Sequence, residues 1–484
     1  MITKPTRIFD RDFEWQQLAA FASRAGRRTQ LGVVSGRRRQ GKTFLLDAIA
    51  QEAGGLYFGA TEATEAESLR LFGSALGTEL GLTAPLRFTG WDEAITYLFS
   101  LTTRTLVVLD EFPYLSKASP ALPSIIQREV DRRANESEGV SLLLCGSAMS
   151  VMGRLLAGNA PLSGRASLEL VVHPFDYRSA ASYWRLDDPR LAVLMHSVVG
   201  GTPAYRRFAD ESSPASPADF DDWLLRTVLN PASALFREAR YLLDEETDVR
   251  DTALYHSVLG AVAAGNNARG AIAAYIGRKA ADIGHHLGVL EDCGLLRRDQ
   301  DVFRSGRSVY RIGEPLVTFY HAIMRPQWGL LESGRSESVW RDARSRFPAQ
   351  VVGSHFEQIC RDFAINAATD TFGALPGEVG AGVVTDPASR TQIQIDVAVF
   401  APATPGQPHK LLSLGEAKWG NAMGVRDVDR LVRARDLLTQ RGYDTTDTVL
   451  ACYSGAGFDR GFAARAANDG TLIVDLDRLY AGRP

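Results

Sequence analysis

Two groups of side chains suited to phosphate chemistry lie at opposite ends of the 484-residue chain. The first is Gly36-Arg37-Arg38-Arg39-Gln40-Gly41-Lys42-Thr43-Phe44. Its two glycines let backbone N–H groups close around an anion without Cβ clashes, and a helix opening at Lys42 adds the positive end of its dipole. Lys42 reaches the β- and γ-phosphates of a nucleotide and the Thr43 hydroxyl ligates Mg2+, which makes this stretch a Walker A motif for ATP and Mg2+. The second group is Asp396 with Glu416-Ala417-Lys418. An acid on one strand facing Glu-x-Lys on its hairpin partner supplies hard oxygen ligands for Mg2+ and a cation to position the nucleophile or offset charge. Glu357, from the preceding helix, completes this metal shell. The competing reading is a structural salt bridge. Chemistry is favoured because these charges interrupt apolar strands flanked by Leu411, Leu412, Leu414 and Trp419.

The elements that must position the first group are readable around it. Leu31-Gly32-Val33-Val34 is an apolar strand, and Phe44 to Ile49 carries helical apolar spacing. After a short strand at Gly55 to Ala60 and two helices, about 70 residues on, Thr105 to Leu109 is another apolar strand, ending in Asp110 and Glu111. Asp110 is expected to hold Mg2+ and Glu111 to polarise the attacking water. Ser141 to Ser147 is a further strand. Ser147 either senses the γ-phosphate or caps the helix that follows. Arg165, in a loop before the strand Ser167 to Val172, either stabilises charge on the transferring phosphoryl group, in cis or in trans, or is simply solvated.

Alternation of strands and helices predicts a multidomain α/β protein. Residues 1–175 form a P-loop NTPase core, a parallel sheet with helices on both faces, and 176–245 a helical lid. Residues 246–325 read as helix, helix, helix and hairpin, the layout of a winged helix-turn-helix. Arg297, Arg298, Arg304, Arg307 and Arg311 on the wing suit DNA phosphates. Asp282, His285, His286, Glu291 and Asp292 on the third helix are poor readers of base edges, so either weakly discriminating DNA binding or protein docking follows. Residues 326–350 read as a linker, and 351–484 as a restriction-endonuclease-like α/β domain.

A formal net charge of −3 excludes a global polyanion-binding field, so a nucleic-acid surface must be local. The apolar fraction of 45% with 23% charged residues is that of a soluble protein. Four scattered cysteines without a CxxC pair imply reduced thiols, no zinc knuckle and a cytoplasmic setting. No signal peptide or membrane span is expected, and a homo-oligomer is left open.

With these pieces placed, the chain resembles the archaeal-type ATPases, a P-loop family near the STAND and AAA+ groups. Its members carry a winged helix and a C-terminal domain similar to the PD-(D/E)XK nucleases. The resemblance rests on Asp10-Arg11-Asp12-Phe13-Glu14, Gly36 to Thr43, Leu109-Asp110-Glu111, Gly200-Gly201-Thr202-Pro203, Ile395-Asp396-Val397 and Gly415 to Trp419. It implies that Arg11 and Pro203 border the adenine. Ala417 departs from the commoner Glu-Cys-Lys, with its side chain directed away from the metal. The expected function is ATP hydrolysis coupled to a Mg2+-dependent nuclease acting on DNA, in DNA processing or defence. The alternatives are a nucleotide-switched regulator with a silent nuclease fold, and an AAA+-like motor or loader.

Overall fold

The computed structural model describes residues 2–103, 105–136, 138–244, 252–367 and 369–481. Five short strands near the N-terminus form one sheet, and its three central members are continuously buried runs, the signature of strands covered on both faces. The five are β1 (Gln30–Ser35), β2 (Leu56–Gly59), β3 (Leu106–Asp110), β4 (Ser141–Gly146) and β5 (Ala166–Val171), all parallel in the order β2-β3-β4-β1-β5. Alternate residues feed opposite cores. Leu31, Val33, Val107, Leu109, Leu142 and Leu144 pack with the helices around Phe72, Trp91 and Ile126, while Val34, Val108, Leu143 and Cys145 pack on Trp15, Leu46 and Ile49. Because the strands are parallel, the loops after β1, β3 and β4 all emerge at one edge.

Helices follow from Tyr177 to Asp244, then Thr252–Ala263, Arg269–Tyr275 and Gly284–Asp292. The boundary read at 245/246 lies outside the described residues. An antiparallel pair comes next, β6 (Leu296–Gln300) and β7 (Ser308–Ile312), in register Arg298 to Tyr310. The loop joining these strands is not free. Val302 N–H donates to Ala381 O at 3.1 Å, Arg304 reaches the Thr385 hydroxyl, and Phe303 packs on Phe400. Arg311 pairs with Asp299 and Arg298 with the Ser308 hydroxyl. The arginine-rich tip expected to meet phosphates is therefore spent largely on contacts within the chain.

Residues 326–350 are not a linker. Trp328–Glu332 and Ser336–Ala343 are helices, and Leu331, Val339, Trp340, Ala343 and Phe347 are buried. They belong to one apolar cluster that runs from Tyr177 through Trp223, Phe319 and Phe356 to Leu479. The helices after β5 and the C-terminal unit thus share a core, tied further by Tyr177 OH to Leu479 O (2.9 Å) and by Arg190 to Gly455 O (2.8 Å).

The C-terminal sheet is β8 (Glu378–Asp386), β9 (Thr391–Phe400), β10 (Leu411–Lys418), β11 (Val449–Ser454) and β12 (Leu472–Val474), ordered β12-β11-β10-β9-β8. β8, β9 and β10 are antiparallel neighbours, while β10, β11 and β12 run parallel. Helix Gly353–Ile365 covers one face and helix Val425–Gln440 the other. No helix among the described residues is long and apolar enough to cross a membrane.

Candidate functional site

The loop from Gly36 to Thr43 leaves β1 in a shape that needs its glycine. Gly36 sits at φ 152°, and a Cβ there would lie 2.5 Å from Val172 O. Lys42 opens the next helix, is buried, and donates to Arg37 O at 2.9 Å. Burial lowers its pKa, against the pull of Cys145, Glu111 and Asp110.

At the end of β3, Asp110 is also buried, and both of its carboxylate oxygens accept hydrogen bonds. Oδ2 accepts from the Thr43 hydroxyl (2.7 Å) and from Tyr57 OH (2.6 Å), while Oδ1 accepts from the Glu111 N–H (2.9 Å). Burial and the nearby Asp110 raise the Tyr57 phenol, which keeps it a donor. Glu111 takes a left-handed conformation, φ 52°, and accepts from the Ser147 hydroxyl at 3.0 and 3.1 Å. A left-handed non-glycine residue costs about 1–3 kcal/mol and persists only where its surroundings hold it. Ser147 is not the cap of the following helix; Ala148 occupies that position. Arg38 adds a guanidinium here, donating to Tyr114 OH (2.8 Å) and Ser147 Oγ (3.4 Å).

The donor set suits a nucleotide with Mg2+. Thr43 and Asp110 already share a hydrogen bond where their oxygens would hold the cation, Lys42 would meet the phosphates, and Glu111 is aligned by Ser147. A bound Mg2+ would neutralise developing phosphate charge. The chain's own residues would supply the cradle of N–H groups, the buried lysine and an oriented carboxylate able to receive a proton from water.

The other loop residues reach away from this edge. Arg37 pairs with Glu314 at 2.5 Å and Arg39 with Glu238 at 3.0 Å, both acids almost fully buried. Arg39 also stacks on Phe208, 4.9 Å from the ring centroid. Gln40 is buried, and Phe44 is half exposed beneath Arg7. Arg11, buried, donates to Gln40 O (3.2 Å) and lies over Phe175 (4.5 Å). Gly201 approaches Phe175 so closely that a Cβ would sit 1.8 Å from its carbonyl oxygen, and Pro203 packs against Gly41. Arg11 and Pro203 therefore both border the loop. Arg165 does not join them: its fork is bidentate with Asp131 at 2.7 and 2.9 Å, and its remaining nitrogen bonds Ser163 O. That pairing holds it on Asp131, outside the group around Lys42 and Asp110.

At the other end, Val397 opposite Gly415 puts the next residues, Asp396 and Glu416, on the same face of adjacent strands. Both are buried. Helix Gly353–Ile365 brings Glu357 to the same patch, and Arg361 on that helix bonds Asp396 O at 2.9 Å. Desolvation, then the charge of Asp396, pushes Glu357 up to about 8 and Glu416 to about 7. Three acids that repel one another in a poorly solvated patch form a donor set that a hard divalent cation relieves. Their present geometry is closed by other partners, however. Asp396 accepts from Ala417 N–H and Gln394, Glu416 is paired with Arg430 at 2.9 Å, and Lys418 is paired with Asp427 at 2.5 Å. Among the described residues no three acids, histidines or cysteines are spaced to hold a metal ion as they stand.

Sequence reasoning missed Tyr57, Glu238, Glu314, Asp427 and Arg430. For the last two a signal existed: their i, i+3 spacing places them on one face of the helix Val425–Gln440, just after Lys418.

No family model matches the chain. It is 25% identical over 339 residues to the uncharacterised protein MJECL04 of Methanocaldococcus jannaschii, covering 69% of this chain and 72% of that one. Among solved structures it is similar to the Walker-type ATPase PABY2304 of Pyrococcus abyssi, with a TM-score of 0.48 and 19% identity over 66% of this chain and 98% of that one. It is also similar to the ORC2 protein of Aeropyrum pernix, with a TM-score of 0.42 and 12% identity over 71% of this chain and 100% of that one.

Proposed function

We propose that this chain binds and hydrolyses ATP at the loop after β1, and that this cycle governs a Mg2+-dependent phosphodiesterase site at Asp396, Glu416, Lys418 and Glu357 acting on DNA. One observation carries the reading: Thr43 bonded to Asp110, beside Glu111 bonded to Ser147, at the shared edge of three parallel strands. That grouping combines a cation-holding pair with an oriented carboxylate next to a phosphate-binding loop. The coupling follows from the salt bridges of Arg37 and Arg39, which join that loop to the helices beyond it. Those helices share their core with the C-terminal unit. The acid patch supports the phosphodiesterase through its mutual repulsion, and Arg298, exposed beside its bond to Ser308, suits a DNA backbone, whereas burial of the Arg297 guanidinium leaves it less available.

A second reading has its own support. Arg430 on Glu416 and Asp427 on Lys418 already neutralise the patch, as they would in a nuclease fold that only grips its partner. The two separate on labelled duplex DNA, single-stranded DNA and RNA incubated with Mg2+, with and without ATP. Under the first reading Asp396→Ala and Lys418→Ala each abolish cleavage while ATP hydrolysis stays near normal. Cleavage that survives both substitutions, or no cleavage of any substrate by the unaltered chain, supports the silent fold.

A further inference from the structure

A cavity of about 640 Å³ that shares no lining residue with either site lies between helix Thr252–Ala263 and the run of chain from His321 to Gln350. Its walls carry cations and no acid among the described residues. His321 is only 6% exposed, yet neither ring nitrogen has a hydrogen-bond partner. Arg346 likewise has two buried guanidinium nitrogens, Nε and one terminal nitrogen, without partners. Buried donors left unmade cost about 1–3 kcal/mol each, so their retention points to something that satisfies them.

Arg325 and His321 converge on one spot: a Cβ at Gly260 would stand 3.2 Å from the Arg325 guanidinium and 3.5 Å from His321 Nδ1. The lining also includes apolar surface from Ile276 and from the exposed ring of Tyr275. The backbone here is unusual as well. The chain's two π-helical turns among the described residues, Tyr320–Met324 and Pro348–Val352, both line this cavity, through His321 and Gln350. Such turns are rare and concentrate at functional sites.

We propose that this cavity is a second ligand site that takes a phosphate-bearing small molecule of about nucleoside-monophosphate size. Two guanidinium forks and an imidazole match a phosphate's oxygens, and the volume falls within the range of small-molecule pockets, about 300–1,000 Å³. Tyr275 and Ile276 offer the ligand's ring an apolar face. The second π-helical turn leads directly into helix Gly353–Ile365, so the occupied cavity adjoins the element that carries Glu357.

The test uses full-length protein carrying Lys42→Ala, which weakens the front nucleotide site, and titrates it calorimetrically with AMP and with inorganic phosphate. One site per chain is expected for AMP. Adding Arg325→Ala with Arg346→Gln should weaken that site about tenfold or more. Gly260→Leu, which fills the cavity without touching a cation's charge, should weaken it as well, with melting temperatures checked for each variant. No binding of either probe, or binding unmoved by both sets of substitutions, overturns the proposal. So does loss of duplex DNA binding in the arginine variant when neither AMP nor phosphate competes with that DNA, because the cations would then serve a nucleic acid.

Discussion

The bond between Arg39 and Glu238 offers a quantitative test of how the loop after β1 is held. Arg39 sits at φ 72°, a conformation that costs a non-glycine residue about 1–3 kcal/mol. Its Nε and one terminal nitrogen reach the two oxygens of Glu238 at 3.0 and 3.4 Å. The Glu238 side chain is 3% exposed and that of Arg39 32%. A charge-assisted hydrogen bond contributes about 1.5–3 kcal/mol, and the solvent reaching Arg39 favours the lower end, about 1.5 kcal/mol. Stacking on Phe208 adds about 0.5–1 kcal/mol. Glu238→Gln loses the first contribution, while Arg39→Gln loses both, a total of about 2–2.5 kcal/mol. The readout is amide hydrogen exchange over residues 234–242, which reports local opening of their helix from the loop without requiring two-state unfolding of the whole chain. Exchange should rise about tenfold in Glu238→Gln and about 30- to 70-fold in Arg39→Gln. The double variant should match Arg39→Gln, because the same contact is removed only once. Changes below threefold in both single variants, or additive effects in the double, would refute the reasoning.

Two further outcomes follow from single contacts. Ser147→Ala removes the donor that aligns Glu111, so ATP turnover should fall about 10- to 100-fold while nucleotide affinity, measured by titration, stays within about twofold. Equal losses in rate and affinity would show that Ser147 serves binding instead. His196 and His355 share a 2.7 Å bond between the helices Pro189–Val199 and Gly353–Ile365, and burial pushes His196 down to about 4 and His355 well below its usual value. Unfolded histidines take up protons near pH 6.5 and these do not, so the pair's contribution is intact above pH 6.5. It is lost as pH falls, by up to about 1.4 kcal/mol per unit for each histidine. Glu357 and Glu416, with raised values, act in the opposite sense, so the informative quantity is the difference between the unaltered chain and His196→Gln. The variant's melting temperature should fall less between pH 7 and pH 5; parallel curves would contradict the assignment.

What could be read from the residues depended on whether neighbours in space are neighbours in the chain. The loop Gly36 to Thr43 and the strand ending in Asp110 are contiguous motifs in apolar frames, so the residues alone reveal both. Glu238 and Glu314 escaped because each meets its arginine across 199 or 277 residues, a distance no local pattern spans. β8 escaped because Gly380 and Gly382 interrupt the alternation of Glu378 to Asp386. The segment 326–350 was misread because Pro326, Gly334 and Pro348 look like punctuation. The apolar residues between them, Leu331, Val339, Trp340, Ala343 and Phe347, carry the core that joins the helices after β5 to the C-terminal unit. The wing's arginines were read as free because composition says nothing about what a loop docks on, here β8. At the acid patch, the strand placement of Asp396, Glu416 and Lys418 was legible. The competing partners Arg430 and Asp427 came into view only when helix Val425–Gln440 was laid across the sheet.

The central claim is that Glu111 works on the water attacking a nucleotide held by Lys42 and Thr43. Single-turnover hydrolysis of ATP with Mg2+ by Glu111→Gln, with affinity measured in the same sample, tests it most directly. The amide keeps the size of the side chain and a hydrogen-bond partner for Ser147 while losing the charge that receives a proton. Affinity within about threefold of the unaltered chain, with hydrolysis slowed about 100-fold or more, is the predicted result. Hydrolysis at an undiminished rate would contradict it.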